Sequence, residues 1–268
     1  KMPIDPSTGN QKIIDVQGQY AWTQGGSIYD FYMREYAGVD AGTGVALWNQ
    51  YYDDVNNDGI FDAGDITIPN LTDYNSKNPE ANVQKRVTSD YASGTLKDVG
   101  KSAIPKVRGA FRLNASYKNF DLSTQFTYSL GGYAYDGAYA GLMSNDTPGS
   151  NNFHTDMRNR WQQPGDVTDV PALNTGVNGG TFANSSSTRF LTKSDYLAMN
   201  NIRLGYTIPN KWIENSGVSN VNLFVSGDNL MLLSKRDGFN PATSEDGGSS
   251  TYRYSPLSTF TMGVRLEF

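Results

Sequence analysis

The residue types best suited to chemistry fall in one run of twelve, Asp54-Val55-Asn56-Asn57-Asp58-Gly59-Ile60-Phe61-Asp62-Ala63-Gly64-Asp65. Oxygen-bearing side chains stand at positions one, three and five: Asp54, Asn56 and Asp58. Gly59 at position six permits the sharp turn of a calcium loop. Ile60 would offer its backbone carbonyl, Asp62 would act directly or through water, and Asp65 would close the ring. Calcium takes about six to eight hard oxygens, and this run supplies them locally. Asp65 stands where such loops carry Glu, and its shorter side chain predicts weaker binding or a tighter loop. The other reading is a solvated acidic turn, because Asp, Asn and Gly are turn residues in any case. Flanking helices are not evident, so the expected role is structural: Ca2+ pinning a long loop.

Other catalytic chemistry has little to stand on. His154 is the one histidine and lies in a polar stretch, which reads as a surface position. There is no Gly-rich phosphate loop, no HExxH and no Ser-His-Asp set to assemble. Asp136, Asp146 and Asp156 are carboxylates of the kind a glycosidase pairs, but polar loops carry such residues by default. With no cysteine, disulfides and thiolate metal sites are excluded. A net charge of −5 and no Lys/Arg-rich run give no footprint for nucleic acid. The expectation is a protein that is not an enzyme. The aromatics Trp48, Tyr51, Tyr52, Tyr133, Tyr135, Tyr139, Phe153 and Trp161 either meet a partner or a sugar by stacking, or pack loops against one another.

The elements that must position these residues read as strands. Ser258–Phe268 alternates Phe260, Met262, Val264, Leu266 and Phe268 with Thr259, Thr261, Gly263, Arg265 and Glu267. Successive strand side chains take opposite faces, so one face is apolar and the other polar. Lys106–Tyr117 repeats this with Phe111, Leu113, Ala115 and Tyr117 against Arg112, Asn114 and Ser116. Phe120–Leu130 sets Leu122, Phe126, Tyr128 and Leu130 against Asp121, Ser123, Gln125 and Thr127. Lys118-Asn119 makes a hairpin turn between them, with Asn119 as the residue able to take positive φ. Tyr196–Ile208 places Ile202, Leu204 and Tyr206 opposite Asn201, Arg203 and Gly205, and Asn220–Met231 places Val221, Leu223 and Val225 opposite Asn222, Phe224 and Ser226. Ile28–Gly38 alternates only in part and is taken as a sixth strand. Ile13–Val16 reads as a short strand, Gln24–Ser27 as a turn and Met157–Trp161 as a short helix.

Between the strands, short and long connections alternate. Lys118-Asn119 and 210–219 are compact, whereas 40–102, 131–194 and 233–255 are long and polar. Outer-membrane barrels show this asymmetry, with short periplasmic turns and long extracellular loops. Aromatics at 12%, 17 of them Tyr, suit the girdles of such a barrel but equally suit a glycan-binding surface. No run approaches the ~20 apolar residues of a spanning helix. The even count of six strands places both chain ends on the periplasmic side. Six strands are too few, because single-chain barrels begin at about eight. The expected fold is therefore all-β: the C-terminal strands of a larger antiparallel transmembrane β-barrel, whose closing Phe268 resembles the C-terminal signal by which the outer-membrane insertion machinery recognises barrels.

Several stretches together resemble the C-terminal part of SusC/RagA-type TonB-dependent outer-membrane transporters: FYMREYAGVDAGTGVALW, the Asp54–Asp65 run, IPKVRGAFRLNASYKNFDLSTQFTYSLGGYAYD, RWQQPGD, DYLAMNNIRLGYTIP, VNLFVSGDNLMLLSKRDGFNPA and TFTMGVRLEF. The ordered set, rather than any one segment, carries the resemblance. It implies a barrel of about 22 strands set in outer-membrane lipid and an N-terminal plug that is absent from residues 1–268. It also implies a SusD-like surface lipoprotein as partner, energy from the TonB complex, and import of glycans or peptides. No substrate-binding residue carries over.

A second reading remains, a soluble extracellular β-sandwich acting as a calcium-stabilised glycan-binding module. Strand faces separate the two. In the barrel, Phe111, Leu113, Phe126, Tyr128, Leu204 and Val264 meet lipid, and Arg112, Gln125, Arg203 and Arg265 line the lumen. In the sandwich, the apolar faces meet each other.

Overall fold

A computed structural model describes residues 2–144, 152–173, 183–236, 238–243 and 255–268. The chain divides into two compact units, residues 1–103 with 134–192, and residues 104–133 with 193–268. No helix among the described residues is long and apolar enough to cross a membrane.

The first unit holds short strands: β1 (Ile14–Gln17), β2 (Tyr20–Thr23), β3 (Asp30–Arg34), β4 (Tyr36–Val39), β5 (Ala46–Asp53) and β6 (Ile66–Ile68). Helix α1 (Leu71–Lys77) follows, then β7 (Val83–Thr88) and β8 (Leu96–Ser102). One sheet runs β1-β2-β3-β8, and in a second β5 pairs with β4, β6 and β7. The segment 40–102 is thus folded rather than an open loop. Its longest strand alternates, with Ala46, Trp48, Gln50 and Tyr52 buried. Polar Gln50 on the buried side, accepting from Arg86 Nε at 2.6 Å, hid that alternation in the sequence. Helix α1 is short but well started: Asn70 Oδ1 accepts from Asp73 N–H at 3.1 Å.

Ile28–Gly38 departs from the expected sixth barrel strand. It breaks at Glu35 into β3 and β4, and consecutive Phe31, Tyr32 and Met33 are all buried, so both faces of β3 are covered. A lipid-facing strand alternates; a strand packed on both sides need not.

The second unit is one antiparallel sheet ordered β15-β14-β13-β10-β9. Its strands are β9 (Val107–Tyr117), β10 (Phe120–Leu130), β13 (Tyr196–Thr207), β14 (Asn220–Ser234) and β15 (Thr259–Glu267). In chain order β11 (Tyr133–Tyr135), helix α2 (Gly137–Leu142) and β12 (Leu191–Lys193) come between β10 and β13. Strand β14 runs to Ser234, past the expected end at Met231 and into the segment 233–255. The hairpin turn follows expectation in length but not in detail: Lys118, not Asn119, takes positive φ (+53°). Asn119 instead ties the turn to β13, its Nδ2 donating to Thr207 O at 2.9 Å.

Register explains how the sheet keeps one apolar face. Phe120 pairs with Tyr117 and Tyr206, Leu122 with Leu204, Leu204 with Val225, and Val225 with Met262. Directly paired residues share a face. A bulge at Asn200, unpaired between Met199 and Asn201, shifts β13 by one residue. Without it Met199 and Leu197 would turn to the polar face; with it they rejoin Phe126 and Tyr128.

The sheet has an odd count of five strands, so the chain enters at Val107 from the end with the long segments and leaves at Glu267 beside the short turns. The expected six barrel strands are five in this sheet. The apolar face is open: Phe260 is 78% exposed, Met262 83% and Val264 60%. A sandwich would bury these side chains, so the sandwich reading fails on this sheet.

Candidate functional site

The Asp54–Asp65 loop follows β5 and rejoins the sheet at β6. Asp54 is 2% exposed. Its Oδ1 accepts from Asp58 N–H at 3.2 Å and its Oδ2 from Gly59 N–H at 2.9 Å and Asn82 Nδ2 at 3.3 Å. Asn56 Oδ1 accepts from Asp58 N–H at 3.0 Å, and Asp58 Oδ1 from Ile60 N–H at 2.7 Å. Asp62 Oδ1 accepts from Gly64 N–H at 2.7 Å. Asp65 closes the ring, accepting from Val55 N–H at 3.2 Å and Asp62 N–H at 3.0 Å. Gly59 takes φ +75°, as the pattern requires. Phe61 anchors the loop, its ring 5.1 Å from that of Tyr52 and under the Arg86 guanidinium at 3.8 Å.

The fit to calcium is partial. The side chains follow the ring order and the turn geometry is present. Yet the carboxylates already accept from backbone N–H groups, and among the described residues no group of three or more acidic or histidine side chains is arranged to hold a metal ion.

The remaining candidates take structural places. Asp136 is buried and caps α2, its Oδ1 accepting from Tyr139 N–H at 2.9 Å. Asp156 accepts from the Tyr139 hydroxyl at 2.6 Å, and Asp146 lies outside the described residues. His154 Nδ1 accepts from Asp156 N–H at 3.2 Å and caps the 3-10 helix Thr155–Asn159, the element expected near Met157–Trp161. Trp48 stacks edge-on with Tyr91, Tyr51 donates to Glu35 at 3.2 Å, and Trp161 lies over Gly44 with Nε1 donating to Ala41 O at 3.0 Å. Tyr52 and Tyr135 are buried. These aromatics hold the first unit together, which favours the packing reading for them. Within that unit Glu35 meets Lys97 at 3.3 Å. Burial pushes the Glu35 carboxyl up, but Asn49, Lys97 and Tyr51 outweigh it and hold it below the usual range. Burial lowers the Lys97 ammonium, but the charges and hydrogen bonds of Glu35 and Tyr51 together outweigh it, so it is raised.

The polar face of the second unit carries what the sequence did not assemble. Arg203 on β13 reaches Asp121 on β10 at 2.5 Å and Asn222 on β14 at 2.7 Å, with its guanidinium 4.7 Å from the Phe224 ring centre. Arg112 donates to Gln125 at 2.9 Å and Asn201 to Asp228 at 2.7 Å. Each pair joins neighbouring strands. The signal lay in the alternation, which put Asp121, Arg203 and Asn222 on polar faces but could not give their cross-strand pairing. Opposite, the apolar face meets solvent or lipid, and β9 and β15 each leave one edge without a partner among the described residues.

An amphipathic open sheet with its apolar side outward is the wall of a membrane barrel. The structure of the RagAB peptide transporter is similar over 97% of this chain and 25% of its own, at TM-score 0.72 and 24% identity. TonB-dependent receptor P3 of Formosa agariphila is 25% identical over 255 residues, 91% of this chain and 22% of the relative. TonB-dependent receptor SusC of Bacteroides thetaiotaomicron is 28% identical over 156 residues, 57% of this chain and 14% of the relative. The chain is similar to SusC/RagA-type receptors. No family model matches it. The chain spans about a quarter or less of the length of these SusC/RagA-type relatives. Those relatives are receptors and transporters rather than enzymes. TonB-dependent receptors are outer-membrane proteins, and the fold here is that of part of such a barrel.

Proposed function

We propose that the chain forms part of the wall and the outward segments of a TonB-dependent importer. The importer takes up nutrients too large for porins, oligosaccharides or peptides, with a SusD-like surface lipoprotein as partner and TonB as the source of energy. The observation that carries this is the sheet itself: one exposed apolar face, one polar face laced by cross-strand pairs, and two open edges. In this reading Leu204 and Val264 face lipid, Arg203 and Arg112 face the lumen, the short turns and Phe268 lie on the periplasmic side, and 131–194 and 233–255 lie outside. The folded segment 40–102 belongs to the outward part. The relatives' names support transport and leave the substrate class open.

The test is a deletion of the complete gene. Loss of growth on a defined oligosaccharide or peptide as sole nutrient, with the protein found in the outer-membrane fraction and soluble only in detergent, supports the reading. A protein that stays folded and monomeric in plain buffer sinks it.

Ca2+ at Asp54, Asn56, Asp58, Ile60, Asp62 and Asp65 is a second proposal, supported by the twelve-residue pattern, the buried Asp54 carboxylate and the positive φ of Gly59. Asp54 Oδ1, Asp58 Oδ1, Asp62 Oδ1 and both Asp65 oxygens each accept one N–H and keep a lone pair, whereas Asp54 Oδ2 accepts two. The ion would pin β5 to β6 and have no catalytic part.

A further inference from the structure

Two irregularities meet at one level of the second unit's sheet. Asn200 is the extra residue of β13. Opposite it β14 places two residues, Asn229 and Leu230, between the pairs Met199–Met231 and Asn201–Asp228. Asn229 takes φ +54°, a left-handed conformation uncommon for a residue with a side chain. Bulges re-aim side chains and gather beside binding sites, and unusual backbone conformations cluster there too.

At this level the polar face changes character. Arg112, Gln125, Asn201 and Asp228 form one cross-strand row, and Asn114, Ser123, Arg203 and Ser226 form another. Across the bulge, towards the long segments, the row is Ala110, Thr127, Ala198 and Leu232. Its last three members floor a cavity of about 390 Å³. That volume falls within the range of about 300–1,000 Å³ usual for ligand sites. The chain after β14 turns back here, Ser234 Oγ donating to Phe239 O at 3.0 Å, and adds Ala242 and Pro256 to the cavity wall.

The polar groups around the cavity are amides and hydroxyls, and none of the lining residues is charged. Asn200 Oδ1 accepts from Thr127 Oγ1 at 2.7 Å, and its Nδ2 has no partner among the described residues. Asn229 Nδ2 donates to Leu257 O at 3.3 Å, and its Oδ1 has no partner among them either. One strand thus offers a donor and the next an acceptor. A peptide unit carries one C=O and one N–H, and both need replacement hydrogen bonds when they leave water. The charged ends of a peptide would find no counter-charge here, so the fit is to its interior. Ala198 and Leu232 make an aliphatic floor for a side chain. A sugar ring would favour stacking on aromatic faces, and Tyr196 is the one aromatic of the lining.

We propose that this cavity is a substrate subsite on the lumen wall, which holds an uncharged peptide unit between Asn200 and Asn229 with an aliphatic side chain on Ala198 and Leu232. The proposal rests on the importer reading and deepens it with a substrate class, peptide rather than oligosaccharide, and a place on the wall.

The test uses the complete receptor in detergent, titrated calorimetrically with N-acetylated, C-amidated Ala-Leu-Ala-Leu-Ala and with maltopentaose. Ala198→Leu fills the floor. Asn229→Gly removes the acceptor and tolerates the positive φ. Ala110→Leu adds the same bulk to the same row outside the cavity. Peptide binding should weaken by roughly tenfold or more in Ala198→Leu and by about fivefold in Asn229→Gly. Ala110→Leu should bind as the wild type does, and the unfolding temperature of each variant checks that its barrel is intact. Asn229→Gly carries the test alone where Ala198→Leu fails to fold. Equal peptide affinity in the wild type and both cavity variants overturns the subsite, as does a receptor that binds no peptide. Both outcomes leave the importer reading standing where growth still depends on the gene. Maltopentaose bound by the wild type and lost in Ala198→Leu overturns the peptide class. A receptor absent from the outer membrane overturns the importer reading and the subsite with it.

Discussion

Arg203 and Asp121 form a diagonal pair across β10 and β13, above the one position between them that has no side chain. Asp121 stands directly opposite Gly205, and a Cβ there would run into its carboxylate. The glycine makes room for the carboxylate, and the carboxylate holds the guanidinium that also reaches Asn222. Removing Arg203 takes the donor from Asn222 Oδ1 and the charged donor from Asp121, which keeps only Asn222 Nδ2 at 3.2 Å, so Arg203→Ala should destabilise the barrel by about 1–3 kcal/mol. Gly205→Ala should do similar damage without touching a charge. Both are read from the temperature at which the heat-modifiable barrel unfolds on a gel. Wild-type behaviour in Gly205→Ala would show that the pair is not held as described.

The two faces of the sheet should answer differently to charge. Leu204 lies on the apolar face and Ser123 on the polar face, one register position apart across the same ladder. Leu204→Arg should cost about 2–4 kcal/mol of membrane stability if that face meets lipid near the midplane. Ser123→Arg should cost little in a water-filled lumen. Refolding into bilayers at a series of denaturant concentrations measures both, and equal costs would reject the assignment of faces.

Calcium is expected to tighten the Asp54–Asp65 loop. Proteolysis at the loop, followed during titration with Ca2+ and then with a chelator, should show protection that Asp58→Ala abolishes. Asp54→Ala is the less clean variant, because Asp54 also bonds to Asn82 and its loss should loosen the loop with or without the ion. No protection at millimolar Ca2+ would end the proposal.

Glu35 and Lys97 set a pH dependence with a definite sign. The Glu35 carboxyl is held below its usual value, so its contribution is complete above about pH 4.3, the ordinary carboxylate value, and is lost as pH falls through the lowered one. The raised Lys97 works at the other end: its contribution is present below its ordinary value and is lost as pH rises through the raised one. The pair is partly exposed, and screening limits it to about 1 kcal/mol. Glu35→Gln should therefore lower protease resistance of the first unit at neutral pH and flatten its acid dependence below pH ~4. Identical acid profiles in the two proteins would contradict this.

Much of the second unit was legible in the sequence, and little of the first. The alternation in Phe120–Leu130 and Ser258–Phe268 gave strands and faces because a sheet with one apolar side imposes a period of two on every residue. β3 and β5 escaped because their burial comes from both sides or includes Gln50, so no clean period is written there. In the candidate calcium loop, residue order gave the ring positions and the positive φ of Gly59. It could not give the bonds that the Asp62 and Asp65 carboxylates accept, since these depend on how the loop closes.

By itself the sequence determined that strands would be amphipathic, that their connections would alternate short and long, and that Arg203 and Asp121 would share the polar side. Local sterics and hydropathy suffice for this, because each is a property of neighbours along the chain. Only the tertiary structure decided that five strands rather than six make the sheet, that Asn200 bulges to return Met199 to the apolar face, and that Lys118 rather than Asn119 takes the strained turn position. Those outcomes depend on register. Register is set by which strands meet, and that energy belongs to residues distant in sequence.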